Sequence, residues 1–113
     1  MPFIQTRVNR PISKEKEEAI AKQYGQAITA LGKTESWLML QFEDDCRMYF
    51  KGESDSPLAF VNVKLYGKAS DSAYDKMTEK ITSILGACLS IPADKVYVEY
   101  EETEHWGWNG SNF

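Results

Sequence analysis

Apolar residues in the first half of the chain fall into three segments. Residues 2–8 are typical of a short strand, and a helix follows, with Ser13 as its N-cap and Gly32 at its end. Residues 37–42 (WLMLQF) are too short and too evenly apolar for a solvent-facing helix, and they predict a strand covered on both faces. The helix has one apolar face, formed by Ile20, Tyr24, Ala27, Ile28 and Leu31.

The second half repeats this order. Residues 43–56 indicate a turn region with a short strand at 48–50, and Pro57 leads into a long strand that Gly67 ends. A second helix begins near residue 70, Pro92 prevents its continuation, and residues 96–100 form the matching strand. The apolar face of this helix comprises Tyr74, Met77, Ile81, Ile84, Leu85 and Cys88.

The two halves match at similar offsets, since Pro57 corresponds to Pro2 and Ser70 to Ser13. This duplication predicts an α/β fold of two β-α-β units, with a four-stranded mixed sheet and both helices on one face. The other face is then bare, and the Phe, Leu and Val of the strands predict that it is apolar and drives oligomerisation. The predicted parts are halves at about 2–50 and 57–100 and a tail at 101–113, within a single domain, 1–113.

Composition narrows the function without defining it. The chain is 42% hydrophobic and 27% charged with a net charge of −4, which argues against general binding to nucleic acid or to an anionic membrane. Cys46 and Cys88 have no metal-type spacing and His105 is the single histidine, so no metal site is expected. The first residues do not predict a signal peptide, and no run approaches the ~20 apolar residues of a membrane span. The cytoplasm is the expected compartment, and any export would use an unconventional route.

Pro2 allows two interpretations. Proline is tolerated as the first residue of a strand, where no ladder donor is required. Alternatively, removal of Met1 would leave Pro2 as a secondary amine. Burial beside a cation lowers the pKa of such an amine, and a free-base amine near neutral pH suits proton abstraction next to a carbonyl.

Lys33 and the aromatic tail also allow two interpretations. Lys33 directly follows the helix-ending Gly32, where it is either a solvated lysine at a helix C-terminus or a cation that holds a carboxylate and depresses the Pro2 amine. In the tail, Trp106 and Trp108 flank a glycine and are expected to pack against an edge or a second subunit. His105 alone is expected to be a surface histidine.

Taken together, these segments resemble the macrophage migration inhibitory factor family of the tautomerase superfamily, over almost the whole chain. The resemblance rests on the Met1-Pro2 start, the Gly32-Lys33 pair, the IPADKVYV segment at 91–98 and the GWNGSNF ending at 107–113. It implies a homotrimer with active sites between subunits, no cofactor, and keto–enol tautomerisation of small carbonyl acids such as phenylpyruvate.

The resemblance also implies residue roles. Pro2 would be the catalytic base and Lys33 the carboxylate anchor, with Tyr97 and Glu99 offered by the neighbouring subunit. The remaining pocket positions that match the family are Leu65, Tyr66, Trp37, Trp106 and Phe113.

The chain departs from well-known family members at several positions. Residues 58–61 (LAFV) stand in place of a CxxC, so thiol–disulfide chemistry is not expected. Tyr66 and Trp106 replace smaller residues, which predicts a narrower or more aromatic pocket. Glu99 replaces an asparagine, and an added carboxylate near Pro2 would favour the protonated amine.

Two other functions fit parts of the same sequence. One is a non-enzymatic, cytokine-like or host-modulating interaction protein in which the pocket is a relic. The other is a ferredoxin-like binding domain for RNA or metabolites, which β-α-β repeats also suit. The chain lacks the basic surface and the Gly/aromatic signature expected of an RNA-binding domain.

Overall fold

Strand β1 (Pro2–Val8) opens the chain in a computed structural model that describes all residues from Met1 to Phe113. Helix α1 (Lys14–Ala27) is capped by Ser13, whose hydroxyl accepts a hydrogen bond of 3.2 Å from the Lys16 N–H. A 3₁₀ turn extends α1 to Gly32, which has the left-handed φ of 71° that a helix-ending glycine adopts. Both predicted ends of the first helix are therefore confirmed.

The later elements follow the predicted order. Ser70 caps the second helix through a hydrogen bond of 3.1 Å from the Ala73 N–H to its side chain. The helix is followed by Ser90 in the left-handed region, two residues before Pro92. These elements are β2 (Met39–Glu43), β3 (Ala59–Tyr66), α2 (Asp71–Leu89), β4 (Val96–Thr103), β5 (Gly107–Trp108) and β6 (Ser111–Asn112).

The main sheet has the strand order β2-β1-β3-β4. The outer pairs, β1 with β2 and β3 with β4, are parallel, whereas the central pair, β1 with β3, is antiparallel. Each parallel pair is joined through one helix, as a β-α-β crossover requires. The predicted fold class, duplicated β-α-β units on a four-stranded mixed sheet, is confirmed.

The hydrophobic core lies between one face of this sheet and the two helices, which pack against each other. Alternate residues of β1 and β3 point into it, because side chains alternate across a strand. Fully buried members include Ile4, Val61, Val63, Ile20, Met77, Ile81 and Leu85. Both helices therefore cover the same face, as predicted.

One polar contact crosses this core. The hydroxyls of Thr6 in β1 and Tyr24 in α1 are both completely buried and lie 2.9 Å apart in a hydrogen bond. Burial raises the pKa of the Tyr24 hydroxyl, although the hydrogen bond with Thr6 opposes that shift. The pair thus tolerates burial only because each hydroxyl is the partner of the other.

We expect Thr6→Val to lower the free energy of unfolding by about 1–3 kcal/mol, because it leaves the Tyr24 hydroxyl buried without a partner. Urea denaturation followed by circular dichroism measures this change. The double variant Thr6→Val/Tyr24→Phe removes both polar groups and is expected to recover most of the loss. A double variant less stable than Thr6→Val alone would contradict this account.

The prediction of a strand at 37–42 covered on both faces was wrong in two respects. The strand begins only at Met39, because Trp37 lies in a 3₁₀ turn and is about half exposed. Within β2 only Leu40 and Phe42 pack against the core, whereas Met39 is exposed. The physical reason is that β2 is an edge strand on a sheet with helices on one face alone.

The prediction that the bare sheet face is apolar was also wrong. Its centre is polar: the Gln5 side-chain amide donates to both Gln41 and Glu43 at 3.0 Å, and Asn62 donates to Glu99 at 2.8 Å. Val61 and Val63 of β3 point instead at the helices. Aromatic side chains on this face, including Phe3 and Phe60, lie towards the strand ends.

One smaller expectation fails as well. The short strand predicted at 48–50 is absent, and Phe50 makes only an isolated bridge to Glu53. The tail folds into the β5–β6 hairpin.

Neither helix is long and apolar enough to cross a membrane, and the compartment of the protein stays a prediction.

Candidate active site

Pro2 lies at one end of the sheet, where β1 begins beside the end of β3. It is buried and in register with Leu65. The Tyr66 N–H donates a hydrogen bond of 3.1 Å to the Met1 carbonyl, which fixes the backbone immediately before Pro2. With Met1 attached, the Pro2 nitrogen is an amide and carries no basic lone pair.

Pro2 lines a cavity of about 600 Å³ that opens at this end of the sheet. Hydrophobic residues, four of them aromatic, form most of its wall, and Lys64 of β3 supplies its single cationic side chain. The lining includes Pro2, Phe3, Trp37, Lys64, Trp106 and Trp108. The cavity can therefore hold a small, partly apolar molecule with an anionic group.

Lys33 approaches the start of the chain from the end of α1. Its ammonium donates a hydrogen bond of 3.0 Å to the carbonyl of Tyr66, the residue whose N–H binds Met1. Burial, and in second place the positive charge of Lys33, lower the pKa of the Met1 amine below its ordinary value. The two influences predicted for a Pro2 amine, burial and a nearby cation, therefore both act at this end of the chain.

The aromatic tail completes the wall. Trp37 and Trp108 pack edge to face with ring centroids 4.9 Å apart, and Phe113 lies 5.6 Å from the ring of Tyr66. The Phe113 N–H donates to the Trp106 carbonyl at 3.0 Å, which holds the β5–β6 hairpin closed. The hairpin thus brings residues far apart in sequence next to Pro2.

Tyr97 and Glu99 lie away from Pro2 within the chain. Tyr97 is in register with Phe60, at the end of β3 opposite to Leu65. Five residues of strand correspond to about 17 Å. Tyr97 instead packs against Phe50 with ring centroids 5.3 Å apart. The chain alone does not bring Tyr97 or Glu99 to Pro2.

Of the other positions that match the family, some line the Pro2 cavity and others do not. Trp37 and Trp106 line the cavity, whereas Tyr66 and Phe113 pack against each other nearby. Leu65 is fully buried and does not line the cavity. His105 is exposed, and no three His, Cys, Asp or Glu side chains are grouped to hold a metal ion.

Sequence reasoning missed Lys64 and undervalued Trp108. Lys64 shares one face of β3 with Asn62 and Tyr66, because every second residue of a strand lies on the same side of the sheet. A correct strand register would therefore have placed Lys64 on the bare face, beside Phe3. Trp108 was part of the matched ending but was assigned only to packing. The edge-to-face contact with Trp37 makes it part of the cavity wall.

Comparisons with known proteins identify the fold. It is that of the tautomerase superfamily. The family model described as macrophage migration inhibitory factor (MIF) matches residues 1–113. The chain belongs to the macrophage migration inhibitory factor family, as its sequence indicated.

Proteins from several organisms are similar to this chain. The structure of Leishmania major MIF2 is 37% identical, with a TM-score of 0.93 and coverage of 100% of this chain and 97% of that one. The homologue from Prochlorococcus marinus is 27% identical, with a TM-score of 0.89 and coverage of 98% of each. Macrophage migration inhibitory factor of Xenopus laevis is 29% identical over 100% of this chain and 99% of the relative.

Proposed function

We propose that this protein is a cofactor-independent keto–enol tautomerase for small carbonyl acids such as phenylpyruvate. The observation that carries the proposal is the position of Pro2, buried at the wall of an aromatic cavity with Lys33 close to the start of the chain. Removal of Met1 turns the Pro2 nitrogen into a secondary amine at that position. Burial and the Lys33 charge then favour its free base.

Lys33 is proposed to bind the substrate carboxylate. Its ammonium has three donors, and only one hydrogen bond, to the Tyr66 carbonyl, is made within the chain. The remaining donors are free for an anion. Trp37, Trp106 and Trp108 would surround the apolar part of the substrate.

The proposed reaction is a proton transfer in two steps. The Pro2 amine takes a proton from the carbon next to the ketone, so that a C–H bond breaks, an N–H bond forms and the electron pair moves to the carbonyl oxygen. The protonated amine then delivers its proton to that oxygen and yields the enol. No electrons are gained or lost, so positioning and electrostatic stabilisation supply the rate.

A homotrimer is part of the proposal. In one chain Tyr97 pairs with Phe60, at the end of β3 opposite to Pro2, and Glu99 pairs with Asn62 in the middle of the sheet. Both residues would therefore reach a Pro2 cavity from a second copy. The bare sheet face and the unpaired edge of β2 are available for such contacts. Within the chain the Glu99 carboxylate accepts a hydrogen bond from the Asn62 side-chain amide.

Ketonisation of phenylpyruvate enol, followed by ultraviolet absorbance, tests the proposed function. We expect turnover well above the buffer rate without added metal or cofactor, for chains that have lost Met1. Absence of turnover with fully processed protein would overturn the proposal.

A second candidate is a non-enzymatic, cytokine-like interaction protein. The observation that favours it is that Met1 fits the fold, since its carbonyl is held by the Tyr66 N–H. A chain that keeps Met1 would have no basic Pro2 yet an intact surface. Receptor binding that persists when Met1 is retained, with no turnover of keto acids by either form, would support this candidate.

A further inference from the structure

Lys64 is a second cation beside Pro2 that the proposed mechanism leaves unused. We propose that Lys64 binds a second carboxylate, so that the preferred substrates are carbonyl acids with two anionic groups, such as 2-keto dicarboxylates. This inference rests on the proposed tautomerase function and names the substrate class of the same site.

The position of Lys64 follows from strand register. Lys64 pairs with Phe3, the residue after Pro2, across the antiparallel β1–β3 ladder. Paired Cα atoms in such a ladder lie about 5 Å apart, which is shorter than an extended lysine side chain. The side chain lines the Pro2 cavity, where it is the one cationic residue.

The ammonium of Lys64 is available to a ligand. Lys64 is exposed and takes part in neither of the two ion pairs of the chain, Arg7–Glu43 and Lys14–Glu17. Glu101 of β4 is its neighbour in register but forms no ion pair with it. An unpaired lysine in a mostly apolar cavity is a suitable partner for a carboxylate.

The two lysines act at different places. Lys33 is the charge that lowers the pKa of the chain-terminal amine, and its ammonium is held at the Tyr66 carbonyl. Lys64 lies on the bare face of the sheet, and burial and Lys33, not Lys64, are the causes that lower the pKa of that amine. Lys64 lines the Pro2 cavity, whereas Lys33 lies outside its lining, at the Tyr66 carbonyl. A substrate with one carboxylate at Lys64 would extend past Pro2 to place its second carboxylate at Lys33, with its acidic C–H between the two.

The test compares two substrates and two lysine variants. Rates are measured for the enols of oxaloacetate, with two carboxylates, and of phenylpyruvate, with one. Lys64→Met removes the charge and keeps the length of the side chain. Lys68→Met is the matched control, because Lys68 is also exposed and lies near the end of β3 but does not line the Pro2 cavity. Thermal unfolding verifies that both variants fold.

We expect Lys64→Met to lower kcat/KM for oxaloacetate about tenfold, mainly through KM, because a charge-assisted hydrogen bond is lost. Phenylpyruvate should change by less than about twofold, since its single carboxylate is left at Lys33. Lys64→Arg should restore most of the oxaloacetate activity, and Lys68→Met should change neither substrate.

Three results would overturn the inference. Equal losses on both substrates in Lys64→Met would show that Lys64 is not selective for a second carboxylate. Wild-type protein that turns over phenylpyruvate but not oxaloacetate would remove the inference alone. Wild-type protein that turns over neither would remove the proposed tautomerase function together with it.

Discussion

Insertion of one alanine between Met1 and Pro2 is expected to lower kcat/KM for phenylpyruvate by about 100- to 10,000-fold, the usual contribution of a general base. The inserted residue converts the Pro2 nitrogen permanently into an amide, even after Met1 is removed. The fold should survive, because the structure already accommodates a residue before Pro2 whose carbonyl pairs with the Tyr66 N–H. Steady-state kinetics on protein of verified mass measures the effect.

Pro2→Gly is the companion variant. It keeps a terminal amine after Met1 removal but loses the ring that fixes the direction of the nitrogen. We expect activity between that of wild type and that of the inserted variant. Full activity in either variant would contradict catalysis by the Pro2 amine.

Replacement of Lys33 by methionine is expected to have the second largest effect. The loss of a charge-assisted bond to the substrate carboxylate should raise KM for phenylpyruvate about tenfold or more. The ammonium also lowers the pKa of the terminal amine, after the larger influence of burial. Removal of Lys33 should therefore raise that pKa.

The pH profile separates these two roles of Lys33. The free base is the active form, so kcat/KM rises with pH through the pKa of the amine. In Lys33→Met the inflection should move to higher pH, while burial keeps it below the position of an ordinary amine. Lys68→Met loses the same charge elsewhere and should leave the inflection unchanged. An unchanged inflection in Lys33→Met would contradict the assigned electrostatic role.

Much of the fold could be predicted from local signals. Ser13 and Ser70 cap the two helices because their hydroxyls accept hydrogen bonds from backbone N–H groups of the first turn. Gly32 ends the first helix because it adopts a left-handed φ. The order of strand, helix and strand occurs twice along the chain, and few sheet topologies are compatible with this order. The β5–β6 hairpin had a local signal too, since Asn109 and Gly110 both take the positive φ that a tight hairpin turn requires.

The bare sheet face could not be predicted from composition alone. Apolar residues are frequent in β3, yet alternation sends Val61 and Val63 to the helices and leaves Asn62 and Lys64 on the other side. Only the register decides which set faces the core. Because the register of β3 was unknown, Lys64 was not predicted to belong to the candidate site.

Residues that act across copies are a further limit of sequence reasoning. Tyr97 and Glu99 were placed in the pocket by resemblance alone, and within one chain neither lies beside Pro2: Tyr97 is at the opposite end of the sheet and Glu99 is in its middle. Their proposed role depends on the proposed homotrimer. Pro2 and Lys33, in contrast, are brought to the same end of one chain by the antiparallel β1–β3 pair and the end of α1.

The most direct test of the central role of Pro2 joins two measurements on the same samples. Intact mass gives the fraction of chains that have lost Met1, and the phenylpyruvate assay gives the specific activity of each sample. Preparations with different degrees of processing should show activity proportional to the processed fraction and falling to the buffer rate when all chains keep Met1. Activity independent of that fraction would contradict catalysis by the Pro2 amine.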